Sequence, residues 1–543
     1  MRRMALGLVA AAALLLASCQ KNTAVTDVPM SAENGGYAYP VAAPPPPQQR
    51  AANAGDTALF DAKERDVPMK TEEYGRIEEN TFLRPADNPL STFSIDVDRA
   101  SYANVRRLLT AGERPPRDAV RIEEMVNYFT YDYPDPSGSD PFSITTELAA
   151  CPWQKDHRLL LIGLQAKHLR TENLPPNNLV FLIDTSGSMD EPDKLPLVQS
   201  AMSLLVDQLR PQDRVAIVTY AGSAGLVLPS TPGSEKGAIL SALENLQAGG
   251  STAGGQGIVL AYETAKANFL PKGNNRVILA TDGDFNVGVT SDGELEQLIE
   301  SKRNDGIFLT VLGFGTGNIK DSKMELLADK GNGNYSYIDT IAEARKSLVQ
   351  EMGATLFTVA KDVKIQVEFN PSQVGAYRLI GYENRLLRAE DFNNDKKDAG
   401  ELGAGHSVTA LYEIIPPGGD IPNASVDPLK YQSISAQHSG GSELATVKLR
   451  YKEPDGDTSK LLTEVVGAAP EPALSDNLRL AASVAELGMI LRGSTNKGDA
   501  SFDDVEQLAR SIRARDDNGY RADFLQLVAK AKETGGVERV ASQ

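Results

Sequence analysis

The sequence predicts an α/β protein: a doubly wound, mostly parallel sheet, inserted in or flanked by a β-rich, sandwich-like domain, with extra helices at the N- and C-terminal ends. Three observations lead there. Between Asn178 and about Thr355, short apolar runs alternate with helical patterns. Several of those runs are apolar on both faces, as strands covered by helices on each side must be. More β-like segments stand on either side of this block, at 142–167 and again after 360, so strands before and after it can share a sheet.

At 543 residues the chain has room for two to four domains. The first nineteen, "MRRMALGLVAAAALLLASC", combine a basic start, an apolar run too short to span a bilayer and small residues before a cysteine, which is the pattern of an export signal. Leu16-Ala17-Ser18-Cys19 resembles a bacterial lipobox. That resemblance implies cleavage before Cys19, a lipid on its thiol as the membrane anchor, and, because Gln20 follows, the outer membrane of a Gram-negative cell. With Cys19 lipidated, Cys151 has no intramolecular partner and reads as a small buried hydrophobe. Residues 20–75 are polar and carry "YPVAAPPPPQQRAANAGD", so they read as a disordered tether.

Residues 76–176 form an N-terminal helical and β region. "STFSIDVDRASYANVRRLLTAGE" predicts a strand and a helix, "RDAVRIEEMVNYFTY" a second helix, and "FSITTELAAC" with "HRLLLIGLQAK" two strands. The α/β domain occupies 177–356. Its strands are expected at 179–184, 214–220, 225–230, 276–282, 307–315 and 335–339, with helical patterns between them. From 357 to 543 the chain is β-rich and then helical: "DVKIQVEFN", "AYRLIGYEN", "SVTALYEII", "ELATVKLRY" and "KLLTEVVG" precede three helix patterns. The Asp-Gly of "KEPDGDTS" marks a hairpin between the last two strands.

In a doubly wound sheet, ligands collect at the carboxyl ends of the strands. Three such ends carry polar groups: Asp184, Ser186 and Ser188 in "LVFLIDTSGSMDE", Thr252 in "GGSTAGGQG", and Asp282 in "ILATDGD". A serine nucleophile needs a base, but neither serine stands in a GxSxG turn and His157, His168, His406 and His438 all fall outside this domain. A phosphate cradle lacks its GxxxxGK[ST] motif, and two aspartates would repel the anion. A hard cation suits every part, since Mg²⁺ prefers hydroxyl and carboxylate oxygens in an octahedron, with Mn²⁺ as the alternative ion. Ser186, Ser188 and Thr252 would coordinate directly, while Asp184 and Asp282 hold bound water or reach the ion.

Asp184-Thr185-Ser186-Gly187-Ser188, then Thr252, then Asp282, resembles the metal-ion-dependent adhesion site of von Willebrand factor type A (VWA) domains. The flanking stretches "NPLSTFSIDVDRASYANVRRLL" and "AYRLIGYENRLL" are similar to those of bacterial YfbK-like lipoproteins. These resemblances imply a lipid-anchored envelope protein that is not an enzyme, with a Mg²⁺ ion exposing an open position to the acidic side chain of a protein ligand. A periplasmic scaffold or assembly factor is the alternative, and an envelope hydrolase the less favoured one. The net charge of −18 argues against nucleic acid as a partner. In "DFNNDKKDAGE", Asp391, Asn393, Asp395 and Asp398 have the spacing of a Ca²⁺ loop but lack its glycine and terminal glutamate, so a polar surface turn is preferred to a second metal site.

Overall fold

Among the described residues, fifteen strands take up the apolar runs. The computed structural model describes residues 71–169, 174–251, 254–283, 292–422, 441–454 and 456–541, all within the unit Val67–Gln543. Cys19, the tether up to residue 70, and Thr252 lie outside the described residues. β1 (Leu90–Ser94), β2 (Phe142–Ala150) and β3 (Arg158–Ala166) come first. The α/β block holds β4 (Asn177–Asp184), β5 (Arg214–Tyr220), β6 (Ala224–Pro232), β7 (Asn274–Thr281), β8 (Ile307–Phe314) and β9 (Tyr335–Ile338). After it come β10 (Thr358–Phe369), β11 (Ala376–Ile380), β12 (Gly400–Gly403), β13 (Ser407–Ile415), β14 (Glu443–Lys452) and β15 (Lys460–Gly467).

The α/β sheet has the order β6-β5-β4-β7-β8-β9, parallel throughout except for the antiparallel edge strand β6. Alternate residues of β4 enter two different cores, which is why the strand is apolar on both faces. Leu179, Phe181 and Ile183 meet the helices Leu195–Asp207 and Lys236–Glu244 through Val198, Met202, Ile239 and Leu243. Val180 and Leu182 meet Gly254–Ala267 and Asp321–Lys330 through Ile258, Ala261, Met324 and Leu327.

The flanking β segments form two further sheets. One has the order β11-β13-β3-β2; the other runs β1-β10-β14-β15, with β12 also paired to β10. β3 pairs with β13 over eight residues, Leu161 opposite Leu411, so a strand before the α/β block is stitched to one well after it. The two sheets face each other through Ile162, Leu164, Ala410 and Tyr412 on one side and Ile365, Val367, Val447 and Leu449 on the other. The α/β block is thus an insertion between strands of a β-sandwich.

Helices Asp476–Arg492, Phe502–Arg510 and Tyr520–Ala541 cover the outer face of the first of these sheets, where Leu159 and Leu161 join Leu478, Ala482, Ala485 and Phe524. Local signals set their ends. Ser475 and Ser501 accept from Leu478 N and Asp504 N at the N-caps, and the first of these helices stops at Gly493 with φ +67°. On β3 the ring of Tyr133 lies over Gly163, where an added Cβ would stand 2.3 Å from it, and its hydroxyl meets Thr409 Oγ1 at 2.8 Å. Gly163→Val is therefore expected to destabilise the protein by about 1–3 kcal/mol in urea unfolding, through overpacking.

Glu486 stands in this helical layer 1% exposed, with neither carboxylate oxygen hydrogen-bonded. Burial, with the charge of Asp504 adding, pushes its carboxyl up to about 8 from an ordinary 4.5. The folded state therefore holds a proton that the unfolded chain releases, and stability declines as pH rises from about 4.5 toward 8. Glu486→Gln is expected to flatten that decline and to raise Tm more at pH 8 than at pH 5. Equal shifts at the two pH values would show that the carboxylate carries no such cost.

The structure departs from the sequence reading in four places. The helix expected over 117–131 is a short 3₁₀ turn, Arg117–Ala119, followed by Ile122–Asn127. Tertiary bonds hold the break open: Arg121 N donates to Ser101 Oγ, and the Arg492 guanidinium takes Val120 O. β12 forms in a stretch read as a polar turn, because β10 offers it a bulged edge. The helix expected around 342–356 is interrupted by a π-helical turn at Lys346–Gln350. Order also begins inside the expected tether, where Thr71 N and Glu73 N donate to Gly317 O and Ile319 O.

Candidate functional site

Asp184 ends β4 and Asp282 immediately follows β7, its parallel neighbour, so both carboxylates emerge at the same edge of the sheet. Both are fully buried. The chain after β4 folds back on Asp184: Ser186 N donates to Asp184 Oδ1 at 2.9 Å, a turn that a short acidic side chain favours. Ser186 Oγ then lies 3.1 Å from Ser188 Oγ, and the Ser188 hydroxyl is bonded in turn to Asp282. A continuous line of oxygen ligands thus runs from Asp184 through Ser186 and Ser188 to Asp282. Its floor is buried, while Gly187 and Ser188 are exposed at its mouth.

The loop that carries Thr252 is tied to this line by its backbone. Gly187 N donates to Gly250 O at 3.0 Å and Gly249 N to Thr185 O at 2.8 Å. Two glycines are required by geometry. Gly250 has φ +87°, and Gly283, directly after Asp282, has φ +101° with Lys320 N only 2.7 Å from where a Cβ would stand.

The two aspartates differ electrostatically. Burial, with the nearby charge of Asp282, pushes the Asp184 carboxyl up to about 6 against the hydrogen bonds from Ser186 and Tyr220. Burial would also raise Asp282, but the Lys194 ammonium, 3.0 Å from Oδ2, and bonds from Asn318 and Ser188 outweigh it and hold Asp282 below the usual range. Lys194, 6% exposed, is the residue that the sequence reading missed. It stands in "EPDKLP" with no motif around it; only the approach of the helix start at Leu195 to the strand tip brings it to Asp282.

These donors fit a hard cation. All are oxygens, and the 3.1 Å between the two serine hydroxyls matches the edge of an octahedron with metal–oxygen bonds of about 2.1 Å. The hydrolase reading gains nothing here, since His157 is bound to Glu413 at 2.5 Å and His406 is buried beside Arg99, both away from these strand tips. Cys151 is buried and free, with its thiol pushed up by burial, as a packed hydrophobe would be.

The Ca²⁺-loop spacing at 391–398 is not realised. Asp391 Oδ2 caps Arg388 N, Asn393 and Asp395 accept from Arg450, Asp395 also takes Ser459, and Asp398 pairs with Arg303. Asp391 and Asn393 lie within a 3₁₀ turn, Ala389–Asn393, and the four side chains are spread over Arg388 N, Arg450, Ser459 and Arg303 instead of facing a shared ion.

Comparison with known proteins adds the following. A family model described as von Willebrand factor type A domain matches residues 178–351, one described as von Willebrand factor matches 68–161, and one described as uncharacterised protein YfbK, C-terminal, matches 354–534. The uncharacterised protein YfbK of Escherichia coli is 46% identical over 470 residues, covering 85% of this chain and 81% of its own length. An uncharacterised protein of Synechocystis is 31% identical over 188 residues, 34% of this chain and 43% of its own. Among solved structures, a von Willebrand factor type A protein from Catenulispora acidiphila is 19% identical over 74% of this chain and 91% of its own, with a TM-score of 0.39.

Proposed function

The chain belongs to the YfbK family, and from that premise we propose that it is a lipid-anchored envelope protein whose VWA domain docks a protein partner through Mg²⁺. A VWA domain marks a protein–protein interaction role. The observation that carries the finer reading is the unbroken line Asp184, Ser186, Ser188, Asp282 at two adjacent strand tips, buried below and open above. Ser186, Ser188 and, by the resemblance, Thr252 would hold the ion, with Asp184 and Asp282 behind them. The ion supplies one open position for an acidic side chain of the partner. Few direct carboxylates leave it electrophilic enough to take that ligand.

Lys194 acts as the resident counter-charge of Asp282, so the site keeps one buried carboxylate neutralised independently of the ion. In this reading the site binds a partner and does not catalyse a reaction. Lipidation at Cys19 supplies the anchor in this reading; no helix among the described residues is long and apolar enough to cross a membrane.

The test offers the immobilised full chain to envelope extract in Mg²⁺ and in EDTA, with Asp184→Ala alongside. A partner retained by the wild type in Mg²⁺ and released by EDTA or by the variant supports docking. Identical captures in all lanes overturn it. Protease shaving of intact cells then separates a surface adhesin, which is cut, from a periplasmic scaffold, which is protected.

A further inference from the structure

A second group of acids converges far from the strand-tip aspartates in sequence. Asp362 in β10, Asp398 in the following loop and Glu401 in β12 place one carboxylate oxygen each within 4.8 Å of the others. They span a gradient of exposure, from the exposed Asp398 through Asp362 to Glu401, which is 8% exposed.

Two features of the backbone aim these groups together. Asp362 has φ +55°, a left-handed conformation that a non-glycine residue rarely adopts, and it sits where the pairing of β10 slips against both β12 and β14. Asp362 Oδ1 accepts from Ala399 N at 3.2 Å, which holds the loop beside Asp398 over the bulge.

The charges are not balanced within the group. Lys452 is 2.7 Å from Asp362 Oδ2, and Arg303 pairs with Asp398. Among the described residues Glu401 has no cation in contact, and its Oε1 is buried without a hydrogen-bond partner there. Burial and then the charges of Asp398, Asp362 and Asp329 drive its carboxyl well above the ordinary range, with Arg303 only partly offsetting them. The buried guanidinium of Arg276 acts on Glu401 as well, although its hydrogen bond goes to Thr310. An unpartnered buried carboxylate facing two more is costly unless a cation joins them. By contrast, the other converging set, Asp96, Glu124 and Glu325, is already taken up by Arg121 and Arg385.

We propose that Asp362, Asp398 and Glu401 form a Ca²⁺ site that clamps the 398–401 loop to the bulge of β10. Ca²⁺ is favoured over Mg²⁺ because it accepts carboxylate-rich oxygen sets of irregular geometry, whereas Mg²⁺ demands a near-ideal octahedron. Access exists on two sides. A cavity of about 230 Å³ is lined by Asp398 and Glu401, and one of about 520 Å³ by Asp362 and Asp398. Because Arg303 belongs to the helix Asp292–Asn304, the clamp sits where the α/β block meets the sandwich.

The test uses the full chain carrying Asp184→Ala, which silences the strand-tip site, and titrates it with Ca²⁺ and with Mg²⁺ by calorimetry. One Ca²⁺ per chain is expected, bound more tightly than Mg²⁺. Adding Glu401→Gln or Asp398→Asn should weaken Ca²⁺ binding about tenfold or more. Asp398 is exposed, so its variant decides the matter even if Glu401→Gln disturbs folding. In EDTA, Glu401→Gln should raise Tm at high pH, where the unpartnered carboxyl would otherwise be driven to ionise in the interior. No Ca²⁺ binding at millimolar concentration, or binding indifferent to both substitutions, would overturn the site, and neither result bears on docking at Asp184.

Discussion

Asp184→Ala is expected to abolish Mg²⁺ binding at the strand tips and every Mg²⁺-dependent contact made there, while leaving the fold in place. The side chain is fully buried, and its carboxylate organises the turn that sets Ser186 and Ser188 3.1 Å apart. Removing it takes away both a charge behind the ion and the acceptor that orients the two hydroxyls. Stability should change little, because burial already disfavours this carboxylate, pushing it up to about 6. Calorimetric titration with Mg²⁺ and a thermal melt in EDTA read the two halves of this expectation separately. Thr252→Ala should lose Mg²⁺ in the same way. Mg²⁺ affinity unchanged in both variants would mean that the ion, if bound, sits elsewhere.

The largest loss of stability is expected at Arg385. Its guanidinium reaches Asp96 at 3.2 Å and Asp98 at 3.1 Å from the segment after β1, and Glu325 at 3.1 Å and Asp329 from the helix Asp321–Lys330. One side chain therefore ties three regions of the chain together. Replacing it by methionine keeps the stem but leaves buried carboxylates uncompensated, which costs about 3–5 kcal/mol. Urea unfolding at pH 7 should show that loss. Burial, against the charges of Arg121 and Arg385, holds the Glu325 carboxyl up at about 7, so below that pH it is largely neutral and depends less on a cation. The deficit of Arg385→Met should accordingly be smaller at pH 5 than at pH 8. A deficit that is the same at both would show that the protonation of Glu325 does not set the loss.

Much of this architecture was legible because the signals are local. The double-sided apolar runs at 179–184, 276–282 and 307–315 became β4, β7 and β8, since a strand buried on both faces has no polar positions to spare. β14 and β15 pair antiparallel on either side of "KEPDGDTS", as the hairpin reading expects. Asp184, Ser186, Ser188 and Asp282 were identifiable because strand ends in a doubly wound sheet gather on one edge, whatever the intervening length. Asp96 and Asp98, by contrast, stand between β1 and the helix Ala100–Thr110, a place in the chain that says nothing of their partner. The structure buries both against Arg385, 289 and 287 residues away.

By itself the sequence determined the periodicities, the residue types at the strand tips and the division into an α/β block between β-rich flanks. These depend on residues a few positions apart, whose hydrogen bonds and burial are settled within one element. Only the tertiary structure decided that β3 pairs with β13, that Lys194 neutralises Asp282, that the 391–398 carboxylates scatter, and that Asp398 turns instead toward Asp362 and Glu401. The reason is physical. A buried charge chooses its partner by distance in space and by the cost of leaving it unpaired, and neither quantity is written in the spacing of residues along the chain.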